Sequence, residues 1–133
     1  MEIREYKVYD EAEIVRLYDS VGWTAYTGDL PALRRGFEHS LLTLAAYQNG
    51  ALSGLIRTVG DGATVVLIQD LLVFPEHQRK GIGTALVRAV LERFAGVRQI
   101  ELVTDNDPGV LAFYRSLGFA ELTRLGCRGF MKQ

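Results

Sequence analysis

A mixed α/β fold, in the order β-α-α-β-β-β-α-β-α-β-β, follows from three features of the sequence. Three strand-like runs, 41–47, 51–59 and 64–74, are separated only by the turns Asn49-Gly50 and Gly60-Asp61-Gly62, so they are expected to pair antiparallel. The third run, "TVVLIQDLLVF", is apolar on both faces, as a central strand is. From it the chain passes through an amphipathic helix into "QIELVT" (99–104), and a β-α-β crossover of that kind returns a parallel, right-handed neighbour. At 133 residues the chain reads as one domain over 1–133. A domain of that size buries roughly two thirds of its unfolded surface.

Each element has its own signal. Alternation in "EIREYKV" (2–8) predicts a first strand. Asp10 followed by Glu13 fits a capping box. Ile14, Leu17, Tyr18 and Val21 then recur at helical spacing, so a helix spans 11–20 and ends at Gly22. "GWTAYTGDLP" (22–31) reads as a loop, and Pro31 stands near the start of a second helix over 31–39. Ile82, Leu86, Ala89, Val90 and Phe94 form the apolar stripe of a helix over 81–95, with Arg88, Glu92 and Arg93 turned to solvent. Asp107 and Pro108 open the last helix as cap and first residue. It runs to Leu117, and Gly118 supplies the left-handed residue after it. "FAELTR" (119–124) and "RGFMK" (128–132) are expected as short final strands.

Composition narrows the function. Apolar residues are 48%, charged residues 23% and the net charge −1, an ordinary globular mix. Without a basic excess, a nucleic-acid-coating role loses weight. No apolar run reaches the ~18–20 residues that span a bilayer, and "MEIREYKVYD" has no apolar signal segment. The single cysteine, Cys127, permits no intrachain disulfide, and His39 and His77 are too scattered for a metal site. The expectation is a reduced, cytoplasmic, soluble protein with no metal, membrane or nucleic-acid partner.

The segment "PEHQRKGIGTALVRAVL" (75–91) sets the chemical question, because its helix opens on Gly81 and Gly83, poor helix formers, behind Arg79 and Lys80. A helix start leaves backbone N–H groups unpaired and carries partial positive charge, so bare glycines there admit an anion. Pro75 ends the central strand just before, which puts the loop at the usual ligand edge of an α/β sheet. The other reading is a tight turn whose glycines permit close packing. A P-loop is a weaker rival, since no Lys-Ser/Thr follows, and "GIGTAL" lacks the third glycine of a dinucleotide fingerprint.

"QRKGIG" (78–83) matches the pattern Q/R-x-x-G-x-G/A, follows "DLLVFPE", and is followed some 30 residues on by "AFYRSLGF" (112–119). This combination resembles the GNAT superfamily of acetyl-CoA-dependent N-acetyltransferases, over nearly the whole chain. The stretches "AFYRSLGF", "CRGFM" and "VGW…ALRRGFEHS" look most like plastid and cyanobacterial serotonin-type acetyltransferases and their small bacterial relatives, a hint at amines. The resemblance implies direct transfer of acetyl from acetyl-CoA to a primary amine on a small molecule or peptide. It implies that Gln78, Arg79, Lys80, Gly81, Ile82, Gly83 and Thr84 wrap the pyrophosphate of coenzyme A. The backbone of Leu71, Leu72 and Val73 would run beside the pantetheine arm as a neighbouring strand does, with the thioester in a gap before 99–104. Tyr114 would protonate the departing thiolate. Asn106 would touch the pantetheine, although Asp107 holds the position of the family's asparagine.

Other assignments stay open. Leu102 stands where many relatives carry a glutamate base, and Glu101 faces the opposite way. Asp70, Asp105 and a water relay are the candidates that remain. Asp70 also reads as a satisfied buried acid, and Asp105 as a turn residue in "TDND". Trp23, Tyr26 and Asp29 form an aromatic-acidic lid suited to a protonated aryl-alkyl amine, while Trp23 alone also reads as a core anchor. Cys127 reads as a small buried residue rather than a nucleophile. Relatives of this size are often dimers joined through their C-terminal strands, so a homodimer is compatible with the resemblance. Two other functions remain: a catalytically silent acyl-CoA-binding relative acting as sensor or interaction module, and a plain nucleotide-binding module.

Overall fold

Asn49 and Gly50 both take positive φ, 50° and 81°, the turn geometry that matches the twist of paired strands. They join β2 (Leu42–Gln48) to β3 (Ala51–Gly60). The computed structural model describes residues 1–133, which form two compact units, Met1–Val103 and Thr104–Gln133. The first holds one sheet in which β1 (Glu2–Glu5), β2, β3, β4 (Val65–Val73) and β5 (Gln99–Leu102) lie side by side in chain order. The first four strands are antiparallel and β5 is parallel to β4, as the crossover requires.

Helices cover both faces of this sheet. α1 (Glu11–Ser20), α2 (Thr24–Thr27) and α3 (Leu30–Glu38) lie on one. There Ile14, Leu17, Tyr18 and Leu33 pack on Ala45, Leu52, Leu55 and Leu72. α4 (Ile82–Arg93) packs on β2, β3 and β4 from the other side, burying Ile82, Leu86, Val87 and Val90. Gly54 makes that approach close: a methyl there would lie 2.9 Å from the Leu72 carbonyl oxygen and 3.2 Å from Ile82.

One irregularity decides where the functional side chains point. Arg57 pairs with Asp70, but Thr58 pairs with Ile68, so Gln69 is an extra residue in β4. An extra residue inverts the alternation of side chains beyond it. Val66 and Ile68 therefore share the α4 face with Gly54, while Asp70 and Leu72 turn to the opposite face, toward α1. Without the bulge Asp70 would point at the underside of α4.

The second unit contains α5 (Pro108–Ser116), which Asp107 caps and Gly118 (φ 94°) terminates. Arg115 and Glu121 form an exposed ion pair there at 3.0 Å.

The fold class stands as expected, with local corrections. The first strand stops at Glu5, because after Tyr6 bonds Thr43 the chain turns toward the cap of α1. The 22–31 segment is not all loop, since Thr24–Thr27 close one helical turn. The two final strands do not form. Leu122–Leu125 is a 3₁₀ turn ended by left-handed Gly126, with the Cys127 N–H on the Leu122 carbonyl, and 128–132 forms no strand. Cys127 is exposed rather than buried, because no element of its unit covers that tail.

Candidate active site

Two stretches of backbone lack a backbone partner, and they follow one another in the chain. β5 pairs with β4 only from Val65 to Ile68, and the same edge from Gln69 to Val73 has no strand beside it. At about 3.3 Å per residue that is roughly 16 Å of strand edge. Pro75–His77 then forms a 3₁₀ turn. The Gln78 side chain reaches back to donate to the Val73 carbonyl at 3.0 Å, which ties the loop to the strand end.

Beyond it Arg79 (φ 63°) and Gly81 (φ 84°) are both left-handed. Gly81 is the N-cap of α4 and has no side chain to cap with. The backbone N–H groups from Arg79 through Thr84 donate to no protein atom; the first bond of the helix is Ala85 N–H to the Gly81 carbonyl. Arg79, Lys80 and Gly81 are exposed, Gly83 and Thr84 are half-buried, and Ile82 is turned into the core. Space around Gly81 is open, with no atom within 4 Å of where a Cβ would stand. Its glycine answers the left-handed φ and not crowding. This bare, positively polarised helix start beside two basic side chains is chemically an anion seat.

Next to the open edge of β4 lies a buried polar network. Asp70 is 1% exposed. Its Oδ2 accepts from Arg57 Nε and from the Tyr18 hydroxyl, each at 2.8 Å, and its Oδ1 accepts from the Tyr26 hydroxyl at 2.7 Å. Arg57 also donates through Nη1 to the Gly36 carbonyl and to Ser40 Oγ. Burial alone pushes the Arg57 guanidinium down, but the adjacent Asp70 carboxylate more than offsets it, so the pKa is raised. Burial pushes both Tyr18 and Tyr26 up, so both phenols keep their protons. A buried pair of this kind is worth most to whoever tries to break it, since removing one partner strands the other charge at a cost of about 3–5 kcal/mol. The arrangement ties α1 and α2 to the middle of the sheet.

The lid residues of the sequence lie against the same network. Trp23 packs half-buried on Tyr18 (6.2 Å between ring centroids) and Tyr26 (6.1 Å). Asp29 spends one carboxylate oxygen capping α3, on the Ala32 N–H at 3.2 Å. Together with Tyr26, Ala32, Gly36 and Arg57 it lines a cleft of about 260 Å³.

In the second unit Asp105 and Asn106 are exposed, and Asp107 caps α5. Tyr114 stands on α5 in edge contact with Phe113 (5.0 Å) and Phe119 (5.7 Å), and burial pushes its phenol up to about 12.

Arg57 and Tyr18 escaped the sequence reading. A signal was present: "ALSGLIRTV" and "VVLIQDLLV" each hold one charged residue inside a buried apolar strand, of opposite sign. Lone buried charges in neighbouring strands are paired charges. Gln69 was missed because a bulge has no residue signature of its own here.

Comparison with known proteins identifies the family and the fold. A GNAT-family acetyltransferase from Streptococcus pneumoniae TIGR4 matches with a TM-score of 0.89 and 35% identity, over 99% of this chain and 96% of that one. An uncharacterized ycf52-like N-acetyltransferase of Prochlorococcus marinus is 29% identical over 117 residues, 85% of this chain and 64% of the relative. The chloroplastic serotonin N-acetyltransferase 2 of Oryza sativa subsp. japonica is 33% identical over 92 residues, 66% of this chain and 46% of the relative. The chain thus spans less than two thirds of the length of these curated relatives. The Acetyltransferase (GNAT) family model matches residues 7–119, and the chain belongs to that family.

Proposed function

We propose that this chain, as one N-acetyltransferase domain over 1–133, transfers the acetyl group of acetyl-CoA directly to a primary amine. One observation carries the reading: an unpaired strand edge, Gln69–Val73, leads straight into an uncapped helix start, Arg79–Thr84. That is the order of groups a thioester, a polar arm and a pyrophosphate need. The backbone of Leu71, Leu72 and Val73 receives the arm as a strand would. Arg79, Lys80, Gly81, Gly83 and Thr84 seat the pyrophosphate through N–H groups and charge. Gln78 and Ile82 hold the loop in place, one on Val73 and one in the core.

In the transfer the amine lone pair forms the C–N bond, the C–S bond breaks, and one amine proton leaves. A backbone N–H of 71–73 stabilises the tetrahedral oxyanion. Tyr114, by its match to the family tyrosine, gives its phenol proton to the thiolate; with a pKa pushed to about 12 it holds that proton through the neutral range. Three donors already occupy the Asp70 carboxylate, so we assign the amine proton to a water relay and make Asp70 a positioning residue. The cleft at Tyr26 and Asp29, with Trp23 packed on Tyr26 but outside the lining, takes the acceptor, and its small volume suits a small amine.

A cytoplasmic setting belongs to the same proposal; no helix is long and apolar enough to cross a membrane. A homodimer joined through C-terminal strands would need 119–132 to form strands that are absent here.

The test is thiol release from acetyl-CoA with a panel of phenethylamine, spermidine, glucosamine and dialanine, beside calorimetry with acetyl-CoA, ATP and NAD. Turnover of at least one amine is expected. Acetyl-CoA binding with no thiol release makes the chain a silent relative, and binding of ATP or NAD alone makes it a nucleotide module. Tyr114→Phe is expected to lower turnover on the order of 100-fold while acetyl-CoA still binds. Unchanged turnover with an unchanged basic limb removes Tyr114 as general acid.

A further inference from the structure

Gln69 is the bulge residue of β4. It is exposed and stands at the head of the unpaired edge, two residues before Leu71. Its amide is not free to point either way, because the network behind it fixes the direction of every hydrogen bond. Arg57 has only donors, and the Asp70 carboxylate paired with it has only acceptors. The Tyr26 hydroxyl has one proton and gives it to Asp70 Oδ1 at 2.7 Å. The Tyr26 oxygen is thereby left to accept, so Gln69 must present its Nε2, which lies 3.1 Å away. Oε1, which has no partner in the protein, is turned outward as a consequence.

We infer that Gln69 Oε1 accepts an N–H of the incoming amine and so makes the enzyme selective for primary over secondary amines. This rests on the acetyl-transfer reading proposed above. The chemistry follows from counting N–H groups. A neutral primary amine attacks through its lone pair and still has two N–H bonds, one for Gln69 and one to give up to water. A secondary amine has one, and cannot serve both. The choice of an amide is equally informative. A carboxylate at this point would hold the amine as ammonium and hide the lone pair, whereas a neutral carbonyl oxygen binds N–H without that bias. The bulge supplies the position, and the buried Arg57–Asp70 pair, through Tyr26, supplies the orientation.

The experiment compares wild type, Gln69→Leu, Gln69→Glu and Tyr26→Phe on the panel amine with the highest wild-type kcat/KM and on its N-methyl derivative. Gln69 is exposed, so its variants are expected to fold. Gln69→Leu should lower kcat/KM for the primary amine by roughly three- to tenfold, the worth of one hydrogen bond. The preference over the N-methyl amine should shrink by a similar factor, and KM for acetyl-CoA should not move. Gln69→Glu should shift the acid limb of the pH profile upward, because a carboxylate raises the pKa of the bound amine. Tyr26→Phe frees the amide to turn and should give a smaller loss of the same preference. If wild type is active and Gln69→Leu keeps both its kcat/KM and its preference, the inference is overturned while acetyl transfer stands. A loss confined to KM for acetyl-CoA also overturns it. A wild type that releases thiol with no amine overturns both.

Discussion

Three of the helices longer than two turns begin alike, and α4 does not. α1, α3 and α5 start on Asp10, Asp29 and Asp107, and each carboxylate accepts the N–H three residues on, at 3.2, 3.2 and 3.0 Å. α4 starts on a left-handed glycine with no side-chain bond at all. A carboxylate cap stabilises a helix by about 1 kcal/mol, and this chain uses it repeatedly. At α4 that side-chain partner is missing, and the left-handed φ of Gly81 is one that a capping residue does not ordinarily adopt. The left-handed φ calls for glycine there, and on the proposed reading charge adds a second reason. A carboxylate at residue 81 would occupy the place, and oppose the charge, of an anionic ligand.

The largest effect is expected from making α4 like the others. Gly81→Asp should weaken acetyl-CoA binding by at least about 100-fold in calorimetry. Two like charges 4 Å apart repel by about 4 kcal/mol at an effective dielectric near 20. Melting temperature should fall by only a few degrees, because no atom crowds the new side chain and the cost is confined to the left-handed φ. Gly81→Ala carries the same left-handed strain, about 1–2 kcal/mol, without the charge, and should keep most of the affinity. If Gly81→Asp binds acetyl-CoA as wild type does, the difference between the helix starts is a matter of turn geometry alone.

A second glycine sharpens the contrast from the packing side. Gly54 lies in an ordinary strand, and a methyl there meets the Leu72 carbonyl oxygen at 2.9 Å, with Ile82 and Val73 at 3.2 Å. Gly54→Ala should cost about 1–3 kcal/mol in denaturant unfolding. Because Leu72 belongs to the strand proposed to hold the pantetheine arm, some loss of acetyl-CoA affinity should accompany it. One glycine is demanded by its neighbours and the other by its φ. A stability loss in Gly81→Ala that Gly81→Asn, whose side chain tolerates the left-handed φ, does not reduce would erase that distinction.

The sequence carried the glycine start well because its signal is local: Gly, flanking basic residues and a strand before it are all within 15 positions. The hairpin at Asn49-Gly50, the caps of α1 and α5 and the parallel return of β5 were legible for the same reason. What escaped depends on pairing between distant segments. The bulge at Gln69 is a mismatch of two strands and exists in neither alone. The Arg57–Asp70 pair joins residues 13 apart that face each other only once that bulge has set the register. The final strands failed in the opposite sense. "FAELTR" and "RGFMK" have strand-like composition, but a strand needs a neighbour, and Gly126 instead lets the first of them close into a turn.

The smallest effect tests the ordinary member of the comparison. Asp10 is exposed, and its Oδ1 accepts from the Glu13 N–H at 3.2 Å while its own N–H reaches the Tyr6 hydroxyl. It caps α1 and touches neither the open edge of β4 nor the start of α4. Asp10→Ala should lower stability by about 1 kcal/mol in urea unfolding with an unchanged slope. Asp10→Asn, which caps nearly as well, should restore most of it. Acetyl-CoA affinity should be the same in all three proteins. A helix closed by its own side chain then loses stability and nothing else when the cap is removed, whereas α4 is expected to lose acetyl-CoA affinity when a carboxylate is placed at its start. Reduced acetyl-CoA binding in Asp10→Ala would mean that helix capping and ligand binding are not separable in this fold.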